Sequence, residues 1–124
     1  MTNRSLTPCE AEVMNVIWPL GAATVQDVVD AIPRSLAYTT VMTTMKILEE
    51  KGFIARREKR GRAYVYRPLV SCESVSGDTV TELAQRFFDG SVKSMVLSLI
   101  KADQITADDL AELRDAIDSL EKSK

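Results

Sequence analysis

Residues 38–68 of this chain, YTTVMTTMKILEEKGFIARREKRGRAYVYRP, contain the pattern that decides the fold. The first half is rich in threonine and repeats apolar residues at helical spacing, and Gly52 follows it as a helix-ending residue. The second half has two short segments with strand composition, 53–58 and 63–68, separated by Lys-Arg-Gly-Arg at 59–62. The stretch therefore predicts a helix over 36–51 and a β-hairpin whose loop carries three cations.

This part of the chain is basic, although the whole chain is slightly acidic. Residues 34–68 contain nine Lys and Arg against three Glu, a net charge of +6, whereas the complete chain of 124 residues has a net charge of −2. The remainder therefore carries −8. A basic segment between acidic flanks is typical of a surface that binds phosphate groups.

Two shorter helices are predicted before the threonine-rich one. Residues 7–10, TPCE, combine an N-cap threonine, a proline at the first helical position and a capping-box glutamate, and the helix ends near Gly21. Thr24 and Asp27 repeat the capping pattern ahead of a helix of about two turns, which ends before Pro33. Three helices followed by a hairpin is the element order of a winged helix-turn-helix domain.

In such a domain the third helix enters the DNA major groove and the hairpin, or wing, contacts neighbouring phosphates. Threonine hydroxyls can meet base edges or phosphate oxygens, and their methyl groups can touch thymine methyls. Arginines beside a wing glycine can approach the backbone closely. The predicted DNA-binding residues are Tyr38, Thr39, Thr40, Thr43, Lys46, Arg60 and Arg62.

The composition changes after Pro68, which predicts a winged-helix domain over 1–69 and a helical dimerisation domain over 70–124. Residues 69–124 carry a net charge of −5 and contain three apolar helical patterns, separated at Gly90 and before Thr106. These small helices have more apolar surface than they can cover alone, which favours a dimer, although the last helix could instead pack on its own winged helix. The predicted dimerisation residues are Leu83, Phe87, Val96, Leu99, Leu110, Leu113 and Ile117. The predicted fold class is mainly α with a small β-hairpin wing.

Several blocks of sequence resemble the penicillinase repressor (BlaI/MecI/CopY) family. They are LTPCEAEVM at 6–14, AYTTVMT at 37–43 and GRAYVYRP at 61–68, and the similarity extends to LAEL at 110–113. The resemblance implies a dimeric transcriptional repressor whose winged helix binds a palindromic operator and whose C-terminal helices form the dimer. In the better-known members, it also implies a membrane protease that senses β-lactam and triggers cleavage in the dimerisation region.

The chain departs from the family pattern at three places. Members that are cleaved usually carry Asn-Phe at the scissile bond, whereas the matching residues here are Ser98 and Leu99, the candidate cleavage site. The copper-responsive branch has a cysteine-rich tail, and no such tail follows Asp118, which disfavours copper sensing. Ile47 stands where many relatives have Arg or Lys.

Other classes of function have little support in the sequence. The chain has no histidine and only two cysteines, Cys9 and Cys72, so we expect neither a metal site nor a cofactor, although a redox role for either cysteine stays open. Asp108 and Asp109 sit at a helix start without a nucleophile or base beside them, so we expect no enzyme activity. Without an apolar run of membrane-spanning length or a secretory signal, we expect a cytoplasmic protein with no membrane insertion.

One alternative remains open at the level of sequence. Winged helices also serve as protein-interaction modules that never contact DNA, so the fold alone does not decide between the two functions. The basic segment favours DNA. Threonine and lysine contacts are too permissive to specify bases, so these patterns predict no operator sequence. They predict no particular inducing signal either.

Overall fold

The computed structural model describes residues 5–123, so residues 1–4 and 124 at the ends of the predicted domains lie outside it. The elements follow in the order α1 (Pro8–Leu20), α2 (Val25–Ala31), α3 (Tyr38–Glu50), β1 (Ile54–Arg60), β2 (Ala63–Pro68), α4 (Cys72–Phe87), α5 (Val92–Lys101) and α6 (Ala107–Lys122). The predicted fold class, mainly α with a small hairpin wing, is confirmed. None of the described helices is long and apolar enough to cross a membrane.

The helix ends follow from local chemistry that the sequence displays. Thr7, Thr24 and Thr106 each accept a hydrogen bond from the third helical residue and complete a capping box. At the other end of α1, Gly21 adopts the left-handed conformation with φ of 74° and donates to two carbonyls of the last turn. These caps explain why three of the predicted helix starts agree with the structure.

The first three helices and the hairpin share one apolar core. Fully buried side chains come from all three helices and from the start of the hairpin, among them Met14, Ile17, Val28, Met45, Leu48, Phe53 and Ile54. The core extends beyond the hairpin, because Val75 of α4 is buried in it and the Trp18 indole nitrogen donates to the Val70 carbonyl at 2.9 Å. The beginning of α4 thus belongs to the same folded unit.

The chain divides into two compact units, and the division lies between Thr79 and Val80, inside α4. The sequence placed the boundary between residues 69 and 70, where the charge changes. The burial of Val75 extends the first unit past that point, because a compact unit is set by contacts and not by composition. In the second unit Ala84 and Met95 are buried, while much of the remaining apolar surface is exposed.

The wing is a tight antiparallel hairpin with one irregularity. Its turn consists of Gly61 and Arg62, so Lys59 and Arg60, predicted as loop residues, are in fact the last residues of β1. Gly61 has φ of 65°, a conformation that suits the first turn position of a two-residue hairpin. The pairing register shifts between Arg56 and Glu58, which makes Arg57 the extra residue of a β-bulge.

Candidate nucleic-acid interface

Helix α3 buries one side and exposes the other. Val41, Thr44, Met45 and Leu48 are buried, and because successive helical residues are about 100° apart, the opposite side is centred on Thr39, Thr43 and Lys46. All five residues predicted on this helix, Tyr38, Thr39, Thr40, Thr43 and Lys46, are exposed. The structure therefore brings the predicted helix residues to one accessible surface, as the proposed role requires.

The start of α3 leaves its first backbone amides without a side-chain cap. Its N-cap residue, Ala37, makes no side-chain hydrogen bond, unlike the threonines that begin α1, α2 and α6. Free amides at a helix start carry partial positive charge and point away from the helix. Their position next to Tyr38 and Thr39 adds a polar group suited to a phosphate oxygen.

Met42 of α3 is accessible, although it is not among the residues predicted to bind DNA. Its side chain is 44% exposed, although methionine is one of the residue types most often buried. Met42 and Tyr38 lie on the side of α3 that faces the wing, because Glu49 on that side binds Arg56 of β1 at 2.9 Å. The signal was available in the i, i+4 spacing of Tyr38 and Met42, away from the stripe formed by Val41, Met45 and Leu48.

The wing cations fall into two groups. Three arginines are paired with carboxylates: Arg56 with Glu49 at 2.9 Å, Arg60 with Asp27 at 3.0 Å and Arg67 with Glu58 at 2.6 Å. Arg57 and Arg62 have no carboxylate partner within residues 5–123, and neither has Lys46 on α3. The predicted residues Arg60 and Arg62 thus differ: the charge of Arg60 is compensated by Asp27, whereas Arg62 has no carboxylate partner in the described part of the chain.

Tyr64 contacts two cations of the wing, Arg56 and Lys59. The Arg56 guanidinium lies 4.7 Å from the centre of the Tyr64 ring and the Lys59 ammonium lies 4.9 Å from it. Contacts of this kind hold cations over the ring face. Arg56 is also paired with Glu49, whereas Lys59 has no carboxylate partner within residues 5–123. Tyr66, by contrast, is partly buried against the core, and this burial raises the pKa of its hydroxyl. Tyr64 therefore contacts cations on the wing surface, whereas Tyr66 packs against the interior.

Ion pairs also tie the helices of the first unit together. Lys51, just after α3, donates to the buried Glu10 carboxylate of α1 at 2.8 Å. Burial alone raises the pKa of Glu10, but the hydrogen bonds from Lys51 and Thr7 outweigh it and hold that pKa below its usual value. The Arg34 guanidinium binds both oxygens of Glu12, and this lowers the pKa of Glu12. The first pair joins the end of α3 to α1, and the second joins α1 to the segment between α2 and α3.

The predicted residues of the second unit are accessible. Of the predicted dimerisation residues, Phe87 is 68% and Ile117 55% exposed, and Leu83, Val96, Leu99, Leu110 and Leu113 are also exposed. The candidate cleavage residues, Ser98 and Leu99, lie inside α5 and not in a loop. No described group of three or more Cys, Asp or Glu side chains in residues 5–123 could hold a metal ion.

Three helices followed by a hairpin, with the exposed polar face of α3 beside that hairpin, define the class of winged-helix DNA-binding folds. The chain belongs to the penicillinase repressor family, whose family model matches residues 6–119. It is 34% identical over 116 residues to the transcriptional regulator BlaI of Mycobacterium tuberculosis, covering 90% of this chain and 82% of that protein. It is 27% identical over 110 residues to the penicillinase repressor of Bacillus licheniformis, covering 87% of this chain and 85% of that one.

A solved structure supports the fold independently of close sequence similarity. A variant of MarR from E. coli in complex with operator DNA superposes with a TM-score of 0.54 at 14% sequence identity, covering 94% of this chain and 76% of that chain. At this identity the likeness concerns the fold alone. The winged-helix assignment thus rests on element order, on the core and on this comparison together.

Proposed function

We propose that this protein is a sequence-specific DNA-binding transcriptional repressor and not an enzyme. The main support is the exposed face of α3, centred on Thr39, Thr43 and Lys46, on a helix that packs against the wing. The wing also carries Arg57 and Arg62, which have no carboxylate partner among the described residues. Membership of a family named for repressors supports it. A repressor acts where the bacterial chromosome is, so we place the protein in the cytoplasm.

In this proposal α3 enters the major groove and the wing contacts the adjacent backbone. Thr39, Thr40 and Thr43 meet base edges or phosphate oxygens, Lys46 binds phosphate, Met42 contacts thymine methyls, and Tyr38 binds at the side of α3 that faces the wing. Arg62 at the turn and Arg57 at the bulge attract phosphate directly. Arg56, Lys59 and Arg60 add positive potential around them, partly offset by Glu49 and Asp27.

The protein acts, in this proposal, as a homodimer on a palindromic operator. The support is the exposed apolar surface of α4, α5 and α6, where Phe87 and Ile117 are more than half exposed. Large exposed apolar surfaces are rare on monomers, and covering them with a second copy gives two winged helices related by a two-fold axis. Two half-sites on the DNA then match the two subunits.

Proteolysis is the mode of relief that the family resemblance suggests. Cleavage between Ser98 and Leu99, by a membrane sensor protease or a protease under its control, would separate α6 from the winged helix. The bond lies within α5, whose backbone is hydrogen-bonded, so cleavage requires local opening of that helix first. The exposed position of both residues supports access once the helix has opened.

The test is fluorescence anisotropy with DNA from upstream of the protein's own gene and with scrambled DNA, titrated across salt. The proposal expects tight binding that prefers the upstream fragment, weakens steeply with salt and saturates at two subunits per site. Absent binding to both, at low salt, would favour the alternative function of a protein-interaction module. Equal binding to both fragments would show that the protein binds DNA but that its operator is not in the upstream fragment. Selection from random DNA would then identify the preferred site.

A further inference from the structure

The wing is held at two points by the segment that begins α2. Near the base of the hairpin, Ala23 forms a β-bridge with Tyr66, in which Ala23 N donates to Tyr66 O at 2.9 Å and Tyr66 N donates to Ala23 O at 2.8 Å. Near the tip, Arg60 donates from Nη1 to Asp27 Oδ2 at 3.0 Å. Arg60 pairs across the hairpin with Ala63 and so lies beside the turn.

Asp27 is itself fixed in place before it meets the wing. It is the third residue of α2, and its Oδ2 accepts the backbone N–H of Thr24 at 3.0 Å, while its own N–H donates to Thr24 Oγ1 at 3.1 Å. These capping bonds, with a contribution from Arg60, hold the pKa of Asp27 below its usual value. The carboxylate is therefore ionised at neutral pH and stands on a rigid helix start.

The position of this carboxylate is unexpected in a DNA-binding surface. A negative charge beside the wing repels the phosphate backbone, and it also compensates the charge of Arg60, one of the cations that the sequence assigns to DNA. On charge alone, removing Asp27 should then strengthen DNA binding. The opposite result is expected only if the Asp27–Arg60 pair contributes more to binding than an unpaired Arg60 would.

A two-stranded hairpin is marginally stable by itself, and its ordering upon binding costs free energy. A bond that holds the tip in place beforehand reduces that cost, because fewer conformations are lost when DNA binds. The bridge at Ala23 and Tyr66 fixes only the base, so the outer half depends on Arg60.

We propose that Asp27 and Arg60 are positioning residues that hold the wing tip against α2, so that Arg62 at the turn is presented to phosphate in a fixed orientation. The inference rests on the proposed DNA binding. It assigns Arg60 the role of holding the wing tip and not that of a phosphate contact. It assigns Asp27 a function although an acidic residue weakens general attraction to DNA.

The deciding experiment compares Asp27→Asn with Asp30→Asn in the anisotropy assay. Both substitutions remove one negative charge from α2, and Asn at position 27 can still accept the Thr24 N–H, whereas Asp30 binds only Gln26 within the described chain. We expect Asp27→Asn to weaken operator binding by about three- to fivefold, the scale of an exposed ion pair. Asp30→Asn should leave binding unchanged or tighten it slightly. If Asp27→Asn tightened binding as much as Asp30→Asn, the positioning role would be overturned.

Three further variants separate positioning from a general loss of structure. Asp27→Glu keeps both the charge and the capping box and should restore binding. Arg60→Gln should weaken binding while keeping the salt slope, whereas loss of a phosphate contact lowers that slope by about one. The double variant Asp27→Asn with Arg60→Gln should bind no more weakly than either single variant. A lowered slope in Arg60→Gln, or additive losses in the double variant, would contradict the inference.

Hydrogen exchange on the DNA-free protein provides a readout that does not depend on binding. We expect Asp27→Asn to accelerate exchange of the wing amides near residues 60–63 and to leave α1 unchanged. Unchanged wing exchange would overturn the inference whatever the DNA result. If the wild-type protein bound no DNA at all, the proposed function would fail, whereas tighter binding by Asp27→Asn would count against the positioning role alone.

Discussion

At the scale of single residues, the arginines of the wing differ in whether a carboxylate compensates their charge, and residue type alone does not reveal this difference. Arg60 and Asp27 are 33 residues apart in the chain, so their pairing depends on how the hairpin lies on α2. Arg62, which is separated from Arg60 only by Gly61, has no carboxylate partner among the described residues. Arginines at neighbouring positions can therefore take different roles, one in support and one in contact.

Arg62 should make a direct phosphate contact. Arg62→Gln is expected to weaken binding to operator and random DNA alike and to lower the slope of log affinity against log salt by about one. Arg114→Gln in α6 removes the same charge and serves as the control. Thr43→Val, by comparison, should mainly change which DNA sequences are preferred. An unchanged salt slope in Arg62→Gln would exclude the contact.

Met42 should read a thymine methyl group. Met42→Ala is expected to weaken binding to the preferred DNA by about threefold, because an apolar contact to the C5-methyl is lost. Replacing the contacted thymine by uracil should remove the difference between the two proteins. Leu20→Ala, at the end of α1, changes another exposed apolar residue and should have no effect. A loss for Met42→Ala that persisted on every uracil-substituted DNA would rule out this contact.

The buried pair of Glu10 and Lys51 should make stability depend on pH. Because the pKa of Glu10 is lowered in the folded protein, its ion pair stabilises the fold above the carboxyl's unfolded pKa and loses that effect as pH falls through the folded pKa. Glu10→Gln keeps the capping bond and should lower the free energy of unfolding at pH 7 by about 1–2 kcal/mol. The difference should shrink as the pH falls below the carboxyl's unfolded pKa and then through its lower folded pKa.

Urea unfolding across this range provides the measurement. Glu12→Gln is the control, because its partner Arg34 is exposed and the effect of that pair on stability should be smaller. A difference between wild type and Glu10→Gln that did not change with pH would show that packing, and not charge, accounts for it.

At the scale of elements, the hairpin shows why a turn residue matters as much as the cations around it. The turn is two residues long, and Gly61 in its left-handed conformation allows the strands to continue to Arg60 and Ala63. The longer loop expected from the sequence would have left Lys59 and Arg60 mobile. Pairing brings both into the strand and gives Arg60 a defined direction.

Gly61→Ala should disturb the wing without touching the core. No side chain or backbone atom lies within 4 Å of the added Cβ, so the cost comes from the positive φ alone, about 1 kcal/mol or more. We expect weaker binding to all DNA sequences and faster hydrogen exchange near the turn. Gly77→Ala in α4, where φ is not positive, is the matched control and should change neither. Equal binding by Gly61→Ala and wild type would show that the turn conformation is unimportant for DNA binding.

Helix α4 illustrates a tertiary effect on an element boundary. Its apolar pattern is clear only from Val80 onward, and the polar run before it contains Gly77, a poor helix former. The structure nevertheless begins the helix at Cys72. Burial of Val75 in the core of the first unit offsets the weak local preference, so the helix starts earlier than its own sequence suggests.

At the scale of the whole molecule, the two compact units divide the proposed tasks. The first unit contains the DNA-binding surface, and the second contains helices whose apolar residues are largely exposed. The proposed dimer would cover this second surface and would supply two winged helices for one operator.

Leu113 should be needed for the dimer. Leu113→Lys is expected to produce a monomer in size-exclusion chromatography with light scattering and to weaken operator binding by about tenfold or more, because one subunit then binds one half-site. Ser119→Lys adds the same charge on the opposite side of α6 and should remain a dimer. A dimeric Leu113→Lys would place the interface elsewhere.

The sequence by itself determined the element order, three capped helix starts, the hairpin, the family and the accessibility of the five residues predicted on α3, because capping and periodicity are local properties. Only the tertiary structure decided which cations are paired, where α4 begins and which unit it starts in. Those features depend on contacts between residues far apart in the chain, such as Arg60 with Asp27 and Val75 with the core. Long-range contacts leave no periodic trace in a single sequence, and so the support of the wing became visible only in the folded molecule.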